Sequence, residues 1–463
     1  MANSLDAYIP ELWANESIAI LVENMVIANL VHTDFSPLVA RFGDIVHTRQ
    51  PAEFTAKRKV DADSVIIQNA NATNIPVPLD QHFHTSFMIK DGEESKSFKM
   101  LRDEYLNPAV TSIARAVDLC LLGESHQFLM NAEGIAGGLT TSNIIQYIVE
   151  TRKRMNINKA YETGRNLILT PNTEAIALQT GTFHEADKVG DNGSALREAS
   201  LGRKFQFQTF MSQNAPSTIG APVLGGTSPL VDLVGGYAAG TTVVHVDTGG
   251  SALKVGMWLK IAGDAIPHEI TALGSLVTQD IDVTISPPLR AAVLDDAVVT
   301  VGDVGLVNLT AGYAAGYSKE LVVDGIVGIV PVGTLVRFAT PGSPAVPLAG
   351  VYSVIATTET GTDTTGITLN KPLQVAAADN VEINFGVPAN YNFAFHRNAL
   401  ALVSRPLAAA PRGLALSSVA SMANVGMRVT ITYNGEQQGV LVTVDLLCGI
   451  KVLDTDLGAV LIG

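Results

Sequence analysis

The sequence predicts an α+β fold in which an all-β segment interrupts a mixed body of helices and strands. Apolar residues recur at helical spacing over residues 15–31 and again over 106–120, and the second stretch is the clearest helix of the chain. Residues 226–386 show almost no helical periodicity and are rich in valine, threonine and regularly spaced glycine. Because the flanking segments differ from this block, we expect 1–225 and 387–463 to form one discontinuous body.

Two sites mark the expected starts of the helices. Asn15 precedes the first apolar-periodic residues and is the expected N-cap of the first helix. Asn107 and Pro108 have the order of an N-cap and a first helical residue, which would begin the second helix there. A preceding turn from Ser97 would instead produce a longer, kinked helix.

Residues 46–96 predict an extended β-hairpin arm. The stretch consists of extended segments separated by polar breaks. Its basic centre, Lys57, Arg58 and Lys59, would lie near one end of the arm. A run of charges this short is usually the solvated tip of a loop.

The all-β segment contains an internal repeat. Two pairs of stretches match in the same order, which argues for a duplicated β unit of about 80 residues. The copies would cover about 240–303 and 320–386. The sequence offsets of the two matched pairs differ by about seven, which indicates that one copy carries about seven extra loop residues. The matches are 284–301 with 368–385, offset by 84 residues, and 255–262 with 332–339, offset by 77.

The composition suits a protein that hides much of its exterior against other subunits. Charged residues make up 16% of the chain and hydrophobic ones 47%. The net charge of −14 argues against a dedicated nucleic-acid binder, although an acidic surface can face nucleic acid without binding it. Cys120 and Cys448 show no metal or redox spacing and are expected to be buried thiols in a reducing compartment. Neither a secretory signal nor a run of about 18 apolar residues occurs, so we expect synthesis in the cytosol.

Asp80, His82 and His84 are the only residues whose pattern suggests chemistry. They alternate, so in a strand all three project from one face and could contribute to a metal site. A catalytic site would need a further ligand or a sheltered open position with a general base, and nothing in the sequence brings one to this strand. Phosphate-binding, nucleophile-elbow and zinc-protease motifs are absent from the sequence. We therefore assign no catalytic, metal-binding or cofactor-binding residue, and expect no cofactor.

Several motifs, taken in order, resemble the major capsid (coat) proteins of tailed bacteriophages with the Hong Kong 97-like fold. The resemblance is closest to short-tailed-phage coat proteins that carry an inserted β-barrel domain. "VPLDQHFHTSFMIKDGEESKSF" is similar to the returning strand of the family's extended arm, which leads into a long spine helix, here about 97–130. Three further stretches are similar to strands of the family's capsid body: "ALREASLGRKFQFQTFMSQNAPS", "YNFAFHRNALALVSRPLA" and "VDLLCGIKVLDTDLGAVLI".

The resemblance implies a domain layout for the whole chain. Residues 1–45 would form an N-terminal arm with a helix and 46–96 the β-hairpin arm. The capsid body, with the spine helix and the peripheral and axial domains, would comprise 97–225 and 387–463. Residues 226–386 would be the insertion domain. The duplication departs from the single-barrel pattern of the family.

The resemblance also implies a function and partners. Many copies would form pentamers and hexamers that close into an icosahedral head around double-stranded DNA, which is not bound sequence-specifically. A scaffolding protein would assist assembly, a portal protein would occupy one vertex, and a decoration protein is a further candidate partner. The chain would be a non-enzymatic virion component assembled in the host cytoplasm, with no membrane partner. Lysine–asparagine cross-links occur in some relatives, but no motif here matches them, so we expect non-covalent assembly.

Five residues are predicted subunit contacts: Lys57, Arg58, Lys59, His82 and His84. If the face of His82 and His84 meets another subunit, protonation of the pair near pH 6 would alter shell stability. Two alternative functions remain. The chain could be another phage structural protein with β repeats, from a decoration or tail structure, or, with less support, a metal-dependent hydrolase.

Overall fold

The computed structural model shows a mixed α+β protein. The residues described are 10–35, 42–50, 56–59, 67, 73–90, 101–135, 137–184, 199, 201–218, 229–247, 253–302, 304–326, 328–340, 346–410 and 415–463. The chain divides into two compact units. Unit 1 comprises 1–19, 33–109 and 400–453, and unit 2 comprises 20–32, 110–399 and 454–463.

The helices include both that the sequence predicts, although their starts differ. The α-helices are α1 (Pro10–Asn24), α2 (Asn107–Gly123), α3 (Ile144–Ile157), α4 (Pro171–Gln179) and α5 (Gly181–His184). A π turn, Arg102–Leu106, precedes α2, and short 3-10 helices cover Glu124–Asn131, Arg397–Ala399 and Thr455–Leu457. No helix among the described residues is long and apolar enough to cross a membrane.

Both predicted N-caps are wrong. Helix α1 begins at Pro10 rather than after Asn15, because proline suits a first helical turn and the fully buried Trp13 extends the apolar face upstream. Asn107 lies inside a helical stretch whose π turn begins at Arg102, so it does not cap the helix. The longer helix with an irregular first segment, the alternative given above, is the one observed.

The strands number twenty-five among the described residues. They are β1 (Ile45–Gln50), β2 (Thr73–Pro78), β3 (Gln81–Lys90), β4 (Ala132–Gly134), β5 (Arg165–Leu169), β6 (Arg203–Lys204), β7 (Phe207–Met211), β8 (Leu230–Val231), β9 (Val243–Asp247), β10 (Trp258–Ile261), β11 (His268–Leu273), β12 (Ile281–Ser286), β13 (Val299–Val301), β14 (Val304–Val307), β15 (Leu321–Asp324), β16 (Leu335–Ala339), β17 (Tyr352–Thr360), β18 (Asp363–Leu369), β19 (Glu382–Phe385), β20 (Tyr391–His396), β21 (Leu400–Ser404), β22 (Leu416–Met422), β23 (Val425–Asn434), β24 (Gly439–Val452) and β25 (Gly458–Ile462).

Unit 1 contains two separate antiparallel assemblies. Strands β1 and β2 pair along their whole length, with Ile45 opposite Pro78. Strand β3 does not join them, although the sequence assigned it to the same hairpin arm. It pairs with β24, from Gln81 opposite Cys448 to Lys90 opposite Gly439, in a sheet that also holds β21, β22 and β23. The apolar run of β24 accounts for this choice, because its buried backbone needs a partner strand on each side.

The body of unit 2 is a mixed sheet in the order β4-β25-β20-β5-β7-β6. The pairs β4–β25 and β5–β7 are parallel and the others are antiparallel. Buried residues of α3, α4, β5 and β25 form one core on this sheet. Thr170 caps α4 through a hydrogen bond from the backbone N–H of Thr173, which fixes the strand-to-helix turn.

Two β modules follow each other in unit 2. The first module, residues 229–302, has the strand order β8-β9-β12-β11-β10-β13, and the second, residues 304–386, is a closed barrel in the order β14-β15-β18-β17-β16-β19. The two modules have the same spatial order of strands when each strand of the first is matched with the strand numbered six higher in the second, so that β8 corresponds to β14 and β13 to β19. Each module has its own apolar core.

The sequence carries a stronger repeat signal than the one used to predict the duplication. The pentapeptide Gly-Tyr-Ala-Ala-Gly occurs at 236–240 and at 312–316. In each copy the tyrosine hydroxyl accepts a backbone N–H from the next strand, Tyr237 from His245 at 2.8 Å and Tyr313 from Val322 at 2.7 Å. The motif is therefore a structural element of the module.

Candidate functional site

Two of the predicted contact residues lie together on β3. His82 and His84 are exposed, and their ring centroids are 6.3 Å apart. They lie opposite Leu447 and Asp445 of β24 respectively. The alternation of β3 thus places both imidazoles on one accessible surface, as the sequence indicates.

Beside the histidines is a buried ion pair. Asp445 is 4% exposed, and Arg428 of β23 donates to its carboxylate, with Nε 3.1 Å and 3.2 Å from the two oxygens. His82 Nε2 is 3.9 Å from Oδ2 of Asp445. Burial alone would raise the pKa of Asp445, but the nearby His82 and Arg428 side chains together lower it below its usual value. The carboxylate is thus held in its charged form by the arginine.

The histidine pair is not accompanied by a set of metal ligands. Among the residues the structure describes, no group of three or more histidine, cysteine, aspartate or glutamate side chains could hold a metal ion. Asp80 lies half-buried just before β3. The arrangement suits pairing and charge compensation between strands.

The basic run lies in a short described stretch of its own. Residues 56–59 are all exposed, so Lys57, Arg58 and Lys59 are accessible. Arg152, Lys153 and Arg154 form a second basic triplet, on α3, but each of its members has a carboxylate or amide partner. The use of the first triplet as a subunit contact stays a prediction.

A buried polar cluster anchors the second module to the 3-10 helix that follows α2. Glu124 is 5% exposed and accepts hydrogen bonds from Asn370 Nδ2 at 2.8 Å and from Lys371 Nζ at 2.9 Å. His126 Nε2 lies 3.2 Å from the carbonyl oxygen of Gly333, and its ring packs edge-on against Tyr391. Burial lowers the pKa of His126 to about 4, so the ring is neutral at neutral pH and donates to that carbonyl.

This cluster was not predicted from the sequence. Its only signal is Glu124, a charged residue directly after the apolar face of α2 and a glycine. The glycine lies close to the second module, because a Cβ on Gly123 would be 2.0 Å from Ser353 Oγ and would displace that hydroxyl. A close approach of helix and module selects glycine there.

Helix α2 holds the segment after α1 through one carboxylate. Asp118 is 1% exposed and accepts backbone N–H groups of Val26 at 2.8 Å and Ala28 at 3.4 Å. Burial raises the pKa of Asp118 to about 6, although these backbone hydrogen bonds oppose the shift. The contact fixes the turn between α1 and the following segment onto α2.

The chain leaves and re-enters the body sheet at one stem. Strand β7, before the modules, and β20, after them, both neighbour β5. Past β7, Thr218 N–H donates to Ala389 O at 2.9 Å, and Tyr391 N–H donates back to Pro216 O at 2.9 Å. The segment that leaves after β7 and the segment that returns at the start of β20 are thus hydrogen-bonded to each other, and both modules are inserted between the two strands that flank β5.

Comparison with known proteins gives structural likeness alone. No protein-family model matches the sequence, and no curated protein matches it. A structure from Mycobacterium phage Che8 is similar at a TM-score of 0.39 with 11% identity, covering 94% of this chain and 90% of that one. The capsid of cyanophage P-SCSP1u is similar at 0.41 with 10% identity, covering 91% and 84%. The capsid of Staphylococcus phage Andhra is similar at 0.38 with 8% identity, covering 95% and 85%.

All three are phage structures, and the latter two are capsids. At these TM-scores and identities the likeness carries no weight for function, which has to follow from the chain's own residues.

Proposed function

We propose that this chain is the major capsid protein of a tailed phage, with the Hong Kong 97-like fold and a duplicated insertion domain. The observation that carries the proposal is the stem at β7 and β20. The chain leaves the body sheet after β7, forms both β modules, and returns to the sheet as β20, on the other side of β5. The sequence resemblance implies this organisation, with an all-β domain inserted into the capsid body.

Three further features support the layout. The helical stretch from Arg102 to Asn131 has the length and buried face expected of a spine helix. Strands β1 and β2 form the base of an arm, and the exposed basic run at 57–59 lies between them in sequence. The proposed domains are 1–45, 46–96, 97–225 with 387–463, and 226–386, with 81–90 contributing to a body sheet through β24.

Assembly would proceed by many non-covalent contacts between copies. The copies form pentamers and hexamers, a scaffolding protein organises them, a portal protein occupies one vertex, and double-stranded DNA fills the closed shell. The net charge of −14 suits an inner surface that faces DNA without binding it tightly. Lys57, Arg58, Lys59, His82 and His84 are proposed contacts between copies.

Electron microscopy of the assembled product tests the proposal. The chain is co-expressed with the scaffolding protein, and the particle fraction is imaged. Closed shells with five- and six-fold clusters are expected. Monomers alone, from protein that is folded by circular dichroism, would contradict the proposal.

A further inference from the structure

The first module exposes an apolar surface where two of its loops meet. Leu233, Val234 and Leu294 are 40%, 92% and 76% exposed, and we call this set the apolar tip. The two loops are joined by paired backbone hydrogen bonds between Tyr237 and Val293, at 2.8 Å and 2.9 Å. The three apolar side chains therefore belong to one site on the module.

A rim of carboxylates surrounds the apolar tip. Asp232, Asp295 and Asp296 are all exposed, and Asp295 Oδ1 accepts the backbone N–H of Leu233 at 2.9 Å. The lysines and arginine of this module lie elsewhere: Lys254 by Glu382, Arg290 by the carbonyl of Met130, and Lys260 on a cavity shared with Tyr147. His245 is the one base described beside the rim, with Nε2 4.0 Å from Asp232 Oδ2, and its other ring nitrogen is 2.8 Å from Asp282 Oδ1. The tip is thus apolar at its centre and negative at its edge.

The second module provides an internal comparison. It repeats the same loop pairing, between Tyr313 and Ala377, and the same cap of Leu309 N–H by Asp379, at 3.1 Å. At the positions that correspond to Asp232, Val234, Leu294 and Asp296, it has Asn308, Thr310, Ala378 and Asn380. The second copy keeps a leucine and the capping aspartate at the positions of Leu233 and Asp295. It forms without the other tip and rim residues, so the fold of the module does not require those.

We propose that the apolar tip, with its acidic rim, docks the basic run Lys57–Lys59 of a second copy of this chain. Lysine and arginine suit such a surface because their aliphatic stems cover apolar groups while their charged ends reach carboxylates at the edge. Among the described residues, 57–59 is the run of three bases that is exposed throughout. The like charge of two acidic rims disfavours contact between two tips.

The contact rests on the proposed function, since it requires copies to assemble. The apolar tip is then the partner surface of the basic run 57–59, which the sequence alone does not identify. It also assigns different roles to the two modules, because the second module lacks the surface that the basic run would bind.

Thiol cross-linking between two variants tests this contact. Chains carrying Arg58→Cys are co-assembled with chains carrying Val234→Cys, and the particles are oxidised and run on a non-reducing gel. Both native cysteines are buried, so the introduced thiols are the reactive ones. A covalent two-chain product is expected, and oxidation carried out in 1 M salt, where the screening length falls to about 3 Å, should yield less of it.

The matched control replaces Val234→Cys by Thr310→Cys, the corresponding position of the second module. No product is expected from that pair. Particles that form normally but give no Arg58–Val234 product, or an equal product with Thr310→Cys, would overturn the contact and leave the capsid function intact. A preparation with no particles at all would overturn both.

A second variant pair measures the contribution of the apolar tip without introduced thiols. Val234→Thr with Leu294→Ala gives the first module the residues of the second, which folds with them. Particles of this variant should dissociate at lower urea concentration than the parent. Thr310→Ser with Ala378→Ser, at the corresponding positions, should leave the dissociation midpoint unchanged, and equal midpoints for all three proteins would refute the proposal.

Discussion

Arg428 of β23 and Asp445 of β24 form a charge pair between adjacent strands, with the guanidinium on both carboxylate oxygens and the aspartate 4% exposed. The pair lies beside the histidines of β3, with Asp445 opposite His84 and close to His82. It stabilises the sheet of unit 1 from inside, and it can be tested without assembling any particle.

Replacing Arg428 by Met should destabilise the unassembled chain strongly. The substitution keeps an aliphatic side chain but leaves the buried carboxylate of Asp445 without its counter-charge, which typically costs about 3–5 kcal/mol. The free energy of unfolding is measured by urea denaturation at pH 7. Arg115→Met, at an exposed position of α2, is the control and should change the free energy of unfolding little. Comparable losses of unfolding free energy in both variants would contradict the role of the Arg428–Asp445 pair.

The same pair predicts a loss of stability in acid. The folded-state pKa of Asp445 is lowered, so its contribution is present above the unfolded-state pKa of about 4 and is lost as the pH falls towards the folded-state value. The difference in unfolding free energy between the parent and Arg428→Met should therefore shrink below pH 4. A difference that stays constant from pH 7 to pH 3 would show that the ion pair is not the cause.

Asp118 predicts a pH dependence of the opposite sign. Its folded-state pKa of about 6 lies above the unfolded-state value, so its stabilising contribution is present below the unfolded-state pKa and is lost as the pH rises through 6. Between pH 4 and pH 7.5 the parent should lose about 2–3 kcal/mol relative to Asp118→Asn, because a two-unit shift corresponds to that energy.

Urea midpoints at the two pH values, for the parent and the Asn variant, measure this difference. Glu11→Gln, on the exposed first turn of α1, serves as the control and should follow the parent. If Asp118→Asn also follows the parent at both pH values, the buried carboxylate does not titrate in this range.

The histidine pair predicts a property of the assembled shell. If His82 and His84 face a neighbouring copy, replacing them should change how that contact responds to acid, because histidine as a residue type changes charge between pH 5 and 8. Particles of the parent should then differ from particles of His82→Gln with His84→Gln in their stability to acid, followed by light scattering between pH 7 and pH 5. Identical acid profiles would remove the pair from the subunit contact.

The sequence predicted those features that depend on local pattern. The helical face of α2, the all-β character of 226–386 and its duplication all follow from period and composition, and the structure shows a matching strand order in the two modules. The partner of β3 was not predictable in this way. Its alternation suits any antiparallel neighbour, and the choice of β24 over β2 depends on residues more than 300 positions away.

Buried charges were the other feature that the sequence could not place. Glu124, Asp118 and Asp445 each stand in or beside an apolar stretch of the sequence, but the sequence does not show which group would satisfy them there. Glu124 and Asp118 are satisfied by distant parts of their own unit, Lys371 with Asn370 and the backbone of 26–28 respectively. Asp445 is satisfied by Arg428, on the neighbouring strand of the same sheet. Such sites emerge only when the chain is folded.

The link between Glu124 and Lys371 predicts how the second module is anchored. Lys371→Met should lower the unfolding free energy by about 3 kcal/mol, because Glu124 is left buried without its cation. Adding Glu124→Gln to that variant should restore part of the loss, since a neutral amide oxygen can still accept from Asn370 Nδ2, which lies 2.8 Å from Glu124 Oε1. Lys319→Met, exposed on the same module, controls for the loss of a surface lysine. The parent, Lys371→Met, Glu124→Gln and the double variant form a double-mutant cycle, and additive changes in the free energy of unfolding would show that the pair is not coupled.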